Sequence, residues 1–515
     1  MKYNICKEIA KYIILSLTAA FMIPSCMDYD DINKPEYLPA NLPVGSFLQQ
    51  MQRIVYPVQE NNYQMCENLI GDVYGRYMSI TNSGWESSFS TFNAPDNWID
   101  FPFDKVYGTF YPAWIEIKNR TNAQGVNFAW AQLLKVAAMQ RMTDLYGPIP
   151  YSKAAGGDLE VPYDSQEEVY NHMFEDLDYA IETLTAYALA FPNDSPMADF
   201  DGVYDGDYSK WVKFANSLKL RMAMRIVYAN PTLAQEKAEE AINHSIGIIQ
   251  TNADNAAIHY APNPIKIMWD DYTDTRACAD IVTYMKGYSD PRLSSYFQTG
   301  KINNADGYYG LRTGINISTK AWALNYSAPA IYDGERVMWM NAAEVAFLRA
   351  EGAMRGWNMG GAAADFYTEG VTLSFDQYGL KNADTYLANN TSKPAAYDDP
   401  TYPEAALSTI TIKWDDSAGD QVKLERIITQ KWIAMWPMGQ EAWSENRRTG
   451  FPRFFPVKVN KNVDATLTTK LASRVPFPPT EKINNSSNYQ NAVSLLGGSD
   501  NYSTKLWWDK NTNKP

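Results

Sequence analysis

Residues 339–379 read WMNAAEVAFLRAEGAMRGWNMGGAAADFYTEGVTLSFDQYG, and this stretch decides how the chain folds. In its first half Ala342, Val345, Ala346, Ala350 and Ala353 recur at helical spacing, and Phe347, Leu348 and Met354 widen that face. Gly356 and the pair Gly360-Gly361 break the period, and a second helix is expected from about 362 to 377. Small residues (Ala346, Ala350, Ala353, Ala363, Gly370) alternate with large ones (Phe347, Met354, Phe366, Tyr367, Phe375), so two antiparallel helices can approach closely and interlock. The segment reads as a helical hairpin. One hairpin cannot bury its own apolar face, so the rest of the chain must supply neighbours to stack on it.

Against the tetratricopeptide repeat pattern, Phe347, Ala350, Glu351, Met354, Ala363, Tyr367 and Gly370 fall at the expected offsets, with Glu351 in place of a small residue and no closing proline. Working outward, apolar residues recur at helical spacing through Phe47, Met51, Ile54 and Val55, then through Met65, Leu69, Val73 and Tyr77, with a break at Pro57. Further helices are expected over 103–120, 128–145, from the Ser165/Glu168 capping box to about 190, and over 207–228, 234–249 and 422–443. Between them lie irregular insertions near 79–101, 250–338 and 381–418, and an extended tail from 453 to 515. The first insertion, with Trp85, Phe89, Phe92 and Trp98 among Ser, Asn, Gly and Asp, reads as an exposed aromatic loop. No Pro/Ser linker or charge block divides the chain, so residues 26–515 are expected to form one mostly α-helical body.

The first 25 residues are a different kind of sequence. Lys2, Lys7 and Lys11 precede a short apolar run, 12–23, too short for a stable transmembrane helix and followed by Pro24-Ser25-Cys26. This reads as a secretory signal. Cys26 behind a small residue resembles a bacterial lipobox, which makes Cys26 the lipid-bearing first residue of the mature protein; the alternative is an ordinary signal peptide with an incidental cysteine. Asp28, Asp30 and Asp31 just after it resemble the signal that sends lipoproteins to the outer face of an outer membrane.

Across 515 residues, 45 Lys and Arg face 59 Asp and Glu, a formal net charge of −14. That excess argues against nucleic acid or anionic lipid as partner, since both need basic patches. With 15 Trp and 35 Tyr the chain has more aromatic surface than a core alone needs, so some of it should be exposed. After Cys26 only Cys66 and Cys278 remain, and they read as two unrelated buried thiols.

Six signatures stand in order along the chain. They are Asp144-Leu145-Tyr146-Gly147-Pro148-Ile149-Pro150-Tyr151; Tyr204-Asp205-Gly206-Asp207 leading through Lys210-Trp211 to Phe214-Ala215-Asn216-Ser217-Leu218; Ala343-Glu344 through Gly352; Gln430-Lys431-Trp432-Ile433-Ala434 with Gln440-Glu441-Ala442-Trp443; Arg447-Arg448-Thr449-Gly450; and Arg474-Val475-Pro476-Phe477-Pro478. Together they resemble the SusD/RagB family over nearly the whole mature chain. The resemblance implies a surface lipoprotein whose four helical hairpins resemble tetratricopeptide repeats and which sits as a lid on a SusC-like TonB-dependent barrel. It also implies capture of an oligosaccharide or, in the RagB branch, of peptides, and no enzymatic activity.

Sugar recognition needs flat apolar faces for the C–H side of a pyranose, with carboxamides or carboxylates for its hydroxyls. Trp85, Trp98, Trp269, Tyr296 and Trp322 are the stacking candidates, with Asn97, Asp270 and Arg292 as polar partners. Trp211, Trp432 and Trp443 sit on helices within signatures and read as core. A glycoside hydrolase is the competing class, because acidic pairs exist by chance among so many carboxylates, but no signature singles one out. His172, His244 and His259 form no zinc motif. The run Asp201-Gly202-Val203-Tyr204-Asp205-Gly206-Asp207 offers oxygen ligands for calcium without the EF-hand spacing; its other reading is a turn capped by Asp207. A third class is a structural surface protein whose aromatics only pack against the barrel, and ligand binding separates that from a lid.

Overall fold

The computed structural model describes residues 42–158, 160–462 and 471–515; the signal segment 1–25 and Cys26 lie outside them. The scaffold helices are α1 (Val44–Val55), α2 (Tyr111–Arg120), α3 (Gly125–Tyr146), α4 (Gln166–Ala190), α5 (Tyr208–Arg225), α6 (Pro231–Ile242), α7 (Ala342–Met354), α8 (Ala363–Gln377), α9 (Asp420–Ala434) and α10 (Gly439–Thr449). Sequence neighbours pack on one another: α3 on α4, α4 on α5, α5 on α6 and α7 on α8, while α9 covers both α7 and α8. Side chains set several starts. Ser165 and Glu168 close the expected capping box on α4, Asp207 accepts the Lys210 N–H at the head of α5, and Asn341 accepts the Glu344 N–H at the head of α7.

The hairpin read from 339–379 is α7 and α8. At Gly370 an added Cβ would lie 2.8 Å from the Phe347 ring, so the small residue is what lets the two helices meet. A second close approach joins α10 to a π-helical segment, Gln64–Asp72, far from it in sequence. There a Cβ on Gly439 would stand 2.5 Å from the Asp72 backbone nitrogen, and backbone cannot yield as a flexible side chain can. Three small antiparallel ribbons lie among the irregular segments: β1 (Met78–Ile80) with β3 (Thr275–Ala277), β2 (Ala256–Ile258) with β6 (Val337–Met340), and β4 (Gly300–Ile302) with β5 (Ala305–Gly307).

Some boundaries differ from the sequence reading. The helix expected over 422–443 is two, α9 and α10, because Pro437 has no N–H to continue the first. The segment 79–101 is no exposed loop: Phe89 and Phe92 are fully buried, and a helix, Asp96–Lys105, begins inside it. The 453–515 tail contains Pro479–Asn484 and Ser486–Leu496 as helices, and the insertion 250–338 holds the helix Ala279–Tyr288. Cys66 and Cys278 are free and buried, as read.

Signature residues Asp144, Glu344, Glu351, Lys431, Glu441 and Arg448 meet Arg221, Arg225 and Glu445 in a buried ion network. Arg448 grips Glu351 with two bonds of 2.6 Å and reaches Glu445 at 2.6 Å; Lys431 approaches Glu445 at 3.1 Å. Arg225 binds Glu445 at 2.8 Å, Glu441, and Asp144 at 3.2 Å, and Arg221 binds Glu344 through two bonds of 2.7 Å. Thus Glu351, where the repeat pattern wants a small residue, faces Arg448 instead of a helix backbone. Burial works against ionisation of Glu351, Glu441 and Glu445, but the surrounding guanidiniums outweigh it and hold all three below the usual carboxylate range.

Candidate functional site

The segment after β1, the short helix Lys320–Ala323 and the head of the π-helical segment converge on one short stretch, Tyr272 to Asp274. After β1 the chain is tied down by Thr81, whose N–H donates to the Asp274 carbonyl at 3.0 Å and whose hydroxyl donates to the Thr273 carbonyl at 2.6 Å. Lys320 donates to the Tyr272 carbonyl and to the Asp274 carboxylate, both at 2.8 Å. Gln64 reaches the same carboxylate at 3.1 Å and Asn82 at 3.4 Å. These ties anchor the loop that carries Trp85 and the short helix Lys320–Ala323 that carries Trp322, whose N–H is capped by the Thr319 hydroxyl. Trp85 and Trp98 meet edge to face at 5.2 Å, Trp98 rests on buried Phe89, and Trp322 stands against Tyr326 at 5.2 Å. All three tryptophans are half-buried, and Asn97 is exposed beside Trp98. Half-burial on a braced support holds a ring ready for contact without ordering it at the moment of binding.

The remaining candidates divide. Trp269 is half-buried, donates its indole N–H to the Ile331 carbonyl at 2.9 Å and meets exposed Tyr332 edge-on; Asp270 is exposed and paired with Lys266 at 3.3 Å. Arg292 and Tyr296 must be withdrawn as ligand contacts, since both are fully buried. Arg292 is spent on Asp290 at 2.6 and 2.9 Å, Ser374, Tyr386 and Gln430, and Tyr296 stacks on Trp436 and donates to the Ile433 carbonyl. Sequence reasoning missed Asp274, Lys320, Asn82 and Gln64. Nothing local marks Asp274 among 59 acidic residues; only the fold brings those donors to it.

The SusD-like family, described as Susd and RagB outer membrane lipoprotein, matches residues 27–509. This chain belongs to that family. Similar solved structures include a SusD homologue from Bacteroides thetaiotaomicron, 41% identical with a TM-score of 0.87, covering 92% of this chain and 100% of the other. A SusD homologue from Bacteroides uniformis is 45% identical with a TM-score of 0.85, covering 91% and 99%. A chitin-binding SusD homologue from Flavobacterium johnsoniae is 41% identical with a TM-score of 0.87, covering 92% and 99%. No curated protein matches. Among the described residues no helix is long and apolar enough to cross a membrane.

Within this SusD-like chain the carboxylates of the signatures are largely turned inward. Asp201 accepts N–H groups of Val203, Tyr204 and Gly206 and the Trp211 indole at 2.7 to 3.1 Å, and Asp207 caps α5, so the acidic run behaves as a turn organised around N–H donors. At the aromatic face the carboxylate shared by the converging segments, Asp274, is held by Lys320, Asn82 and Gln64, an arrangement suited to positioning loops. Acid–base cleavage of a glycosidic bond needs two carboxyl groups placed across one bond.

Proposed function

We propose that this SusD-like protein captures oligosaccharide at the cell surface on the face carrying Trp85, Trp98 and Trp322. It is lipid-anchored through Cys26 to the outer membrane and hands its ligand to a SusC-like TonB-dependent barrel without cleaving it. The observation that carries the reading is that half-buried Trp85, with Trp98 edge-on against it, and half-buried Trp322 lie on segments braced at Asp274. The likeness to a chitin-binding homologue over nearly the full chain supports a glycan as the ligand class. Calorimetry of the purified full chain against a panel of oligosaccharides and peptides tests it. Binding of one glycan class, lost in Trp98→Ala and Trp322→Ala, is the expected result. Binding of peptides alone would move the protein to peptide capture, sugar release by the pure protein would make it an enzyme, and failure to co-purify with a large barrel would remove the transporter step.

A further inference from the structure

Away from the aromatic face a cavity of about 510 Å³ opens between the turn that leads into α5, β2, the segment 330–338 and the end of α8. Trp85, Trp98 and Trp322 do not line it. Its volume falls in the range of small-molecule sites, roughly 300–1,000 Å³. Two cations reach it with capacity to spare. Lys210 has no hydrogen bond or ion pair for its ammonium among the described residues, although Lys213 and Lys219 on the same helix are paired, with Asp254 at 2.9 Å and Asp178 at 2.7 Å. Arg336 uses only Nη1, on the carbonyls of Val203 at 3.0 Å and Ala257 at 3.5 Å, which leaves Nη2 and Nε for a ligand. The bond to Val203 docks Arg336 on the turn that runs into Lys210, so the two cations share one end of the cavity.

Acidic groups also line it, but they do not cancel that end. Glu335 and Asp205 are both solvent-exposed, Glu335 has one oxygen occupied by the Tyr332 N–H at 2.8 Å, and among the described residues neither carboxylate is paired with Lys210 or Arg336. The lining also holds half-buried Tyr378 and Pro437, whose rings offer apolar surface, and Gln377, which offers a carboxamide. Two cations with free donors, apolar ring surface and a carboxamide suit a ring that carries a carboxylate on one side and hydroxyls on the other. We propose that this cavity is a second ligand site, for a carboxylated sugar of one or two residues, with Lys210 and Arg336 binding the carboxylate and Tyr378 and Pro437 lying against the ring.

The test is calorimetry of the full chain with galacturonate, its uncharged methyl ester, and the dipeptide Ala-Ala, which has a carboxylate and no sugar ring. Galacturonate should bind about tenfold more tightly than the ester, and Lys210→Met should remove that advantage while leaving ester binding unchanged. Lys210→Arg should restore it. Because Arg336 also braces the turn, Lys210, which holds nothing else, is the decisive position. The Trp98→Ala/Trp322→Ala double variant should bind galacturonate as the parent does. Equal binding of acid and ester, no binding of galacturonate, or indifference to Lys210→Met would overturn the proposal. Loss of galacturonate binding in the tryptophan double variant would place the acid on the aromatic face and overturn the second site while sparing oligosaccharide capture there. Tighter binding of Ala-Ala than of galacturonate would replace the sugar by a peptide.

Discussion

The scaffold and the aromatic face use the same residue types in opposite ways. In the scaffold, Arg225, Arg448, Glu351, Glu441 and Glu445 are buried and answer one another, and Trp432 and Trp443 are sealed in the core. On the face around Asp274, the charged groups brace loops near the surface and three tryptophans keep part of their rings in solvent. The signatures that reveal the family therefore describe what holds the protein together. The proposed aromatic face, by contrast, is carried by segments without a signature.

The largest effects are expected on the scaffold side. Arg448→Met takes from Glu351 its two-bond partner, leaving it only Arg355 at 2.8 Å, and takes from Glu445 one of three cations, and it should cost on the order of 3 kcal/mol in denaturant unfolding while leaving the glycan affinity of the folded fraction intact. Unchanged stability would mean that the network is ornamental. The intact network also sets an acid limit. Glu351, Glu441 and Glu445 sit below the ordinary 4.5, so their stabilisation is complete above that value and is lost as pH falls through their lower native values.

Asp72 sharpens the contrast because it lies in the same core without a cation. Burial pushes its carboxyl up to about 7, and hydrogen bonds from Tyr63 at 2.8 Å and Asn68 at 3.4 Å pull it back only in part. Native protein therefore takes up a proton there, and stability should fall as pH rises from the ordinary 3.8 toward about 7. Asp72→Asn should remove that slope, stabilising on the order of 3–4 kcal/mol at about pH 8 and little near pH 4 in paired thermal melts. A gain independent of pH would show that the carboxylate is not the cause.

Gly370→Ala should cost about 1–3 kcal/mol by driving a methyl into the Phe347 ring, read from the urea midpoint, and a neutral result would mean that the α7–α8 contact is loose. The smallest effect belongs to the aromatic face. Trp322→Ala should lower glycan affinity about tenfold, ~1.4 kcal/mol, with the acid unfolding midpoint unmoved. If that midpoint moves as well, the two regions are not independent.

Much of the scaffold was legible because its cues are local. The Ser165 capping box, the Asp207 cap and the alternation of Gly370 with Phe347 are properties of neighbouring residues, and each behaves as read. Pro437 is an equally local cue, and it divides α9 from α10 although the apolar period runs through it. Of the candidate site the sequence showed only a composition: Trp85, Trp98 and Trp322 are half-buried, while Arg292 and Tyr296 are enclosed.

The sequence by itself determined the helical hairpins, their starts and the family, because hydrogen bonding within a helix, capping and close packing of adjacent helices are settled over a few turns of chain. Only the tertiary structure decided that Arg292 is enclosed by Ser374, Tyr386 and Gln430, that Asp274 gathers Gln64, Asn82 and Lys320, and that Lys210 and Arg336 share a cavity. In each case the deciding partners come from distant parts of the chain. Whether a charge or a ring is buried depends on which of them arrive, and no local pattern records that.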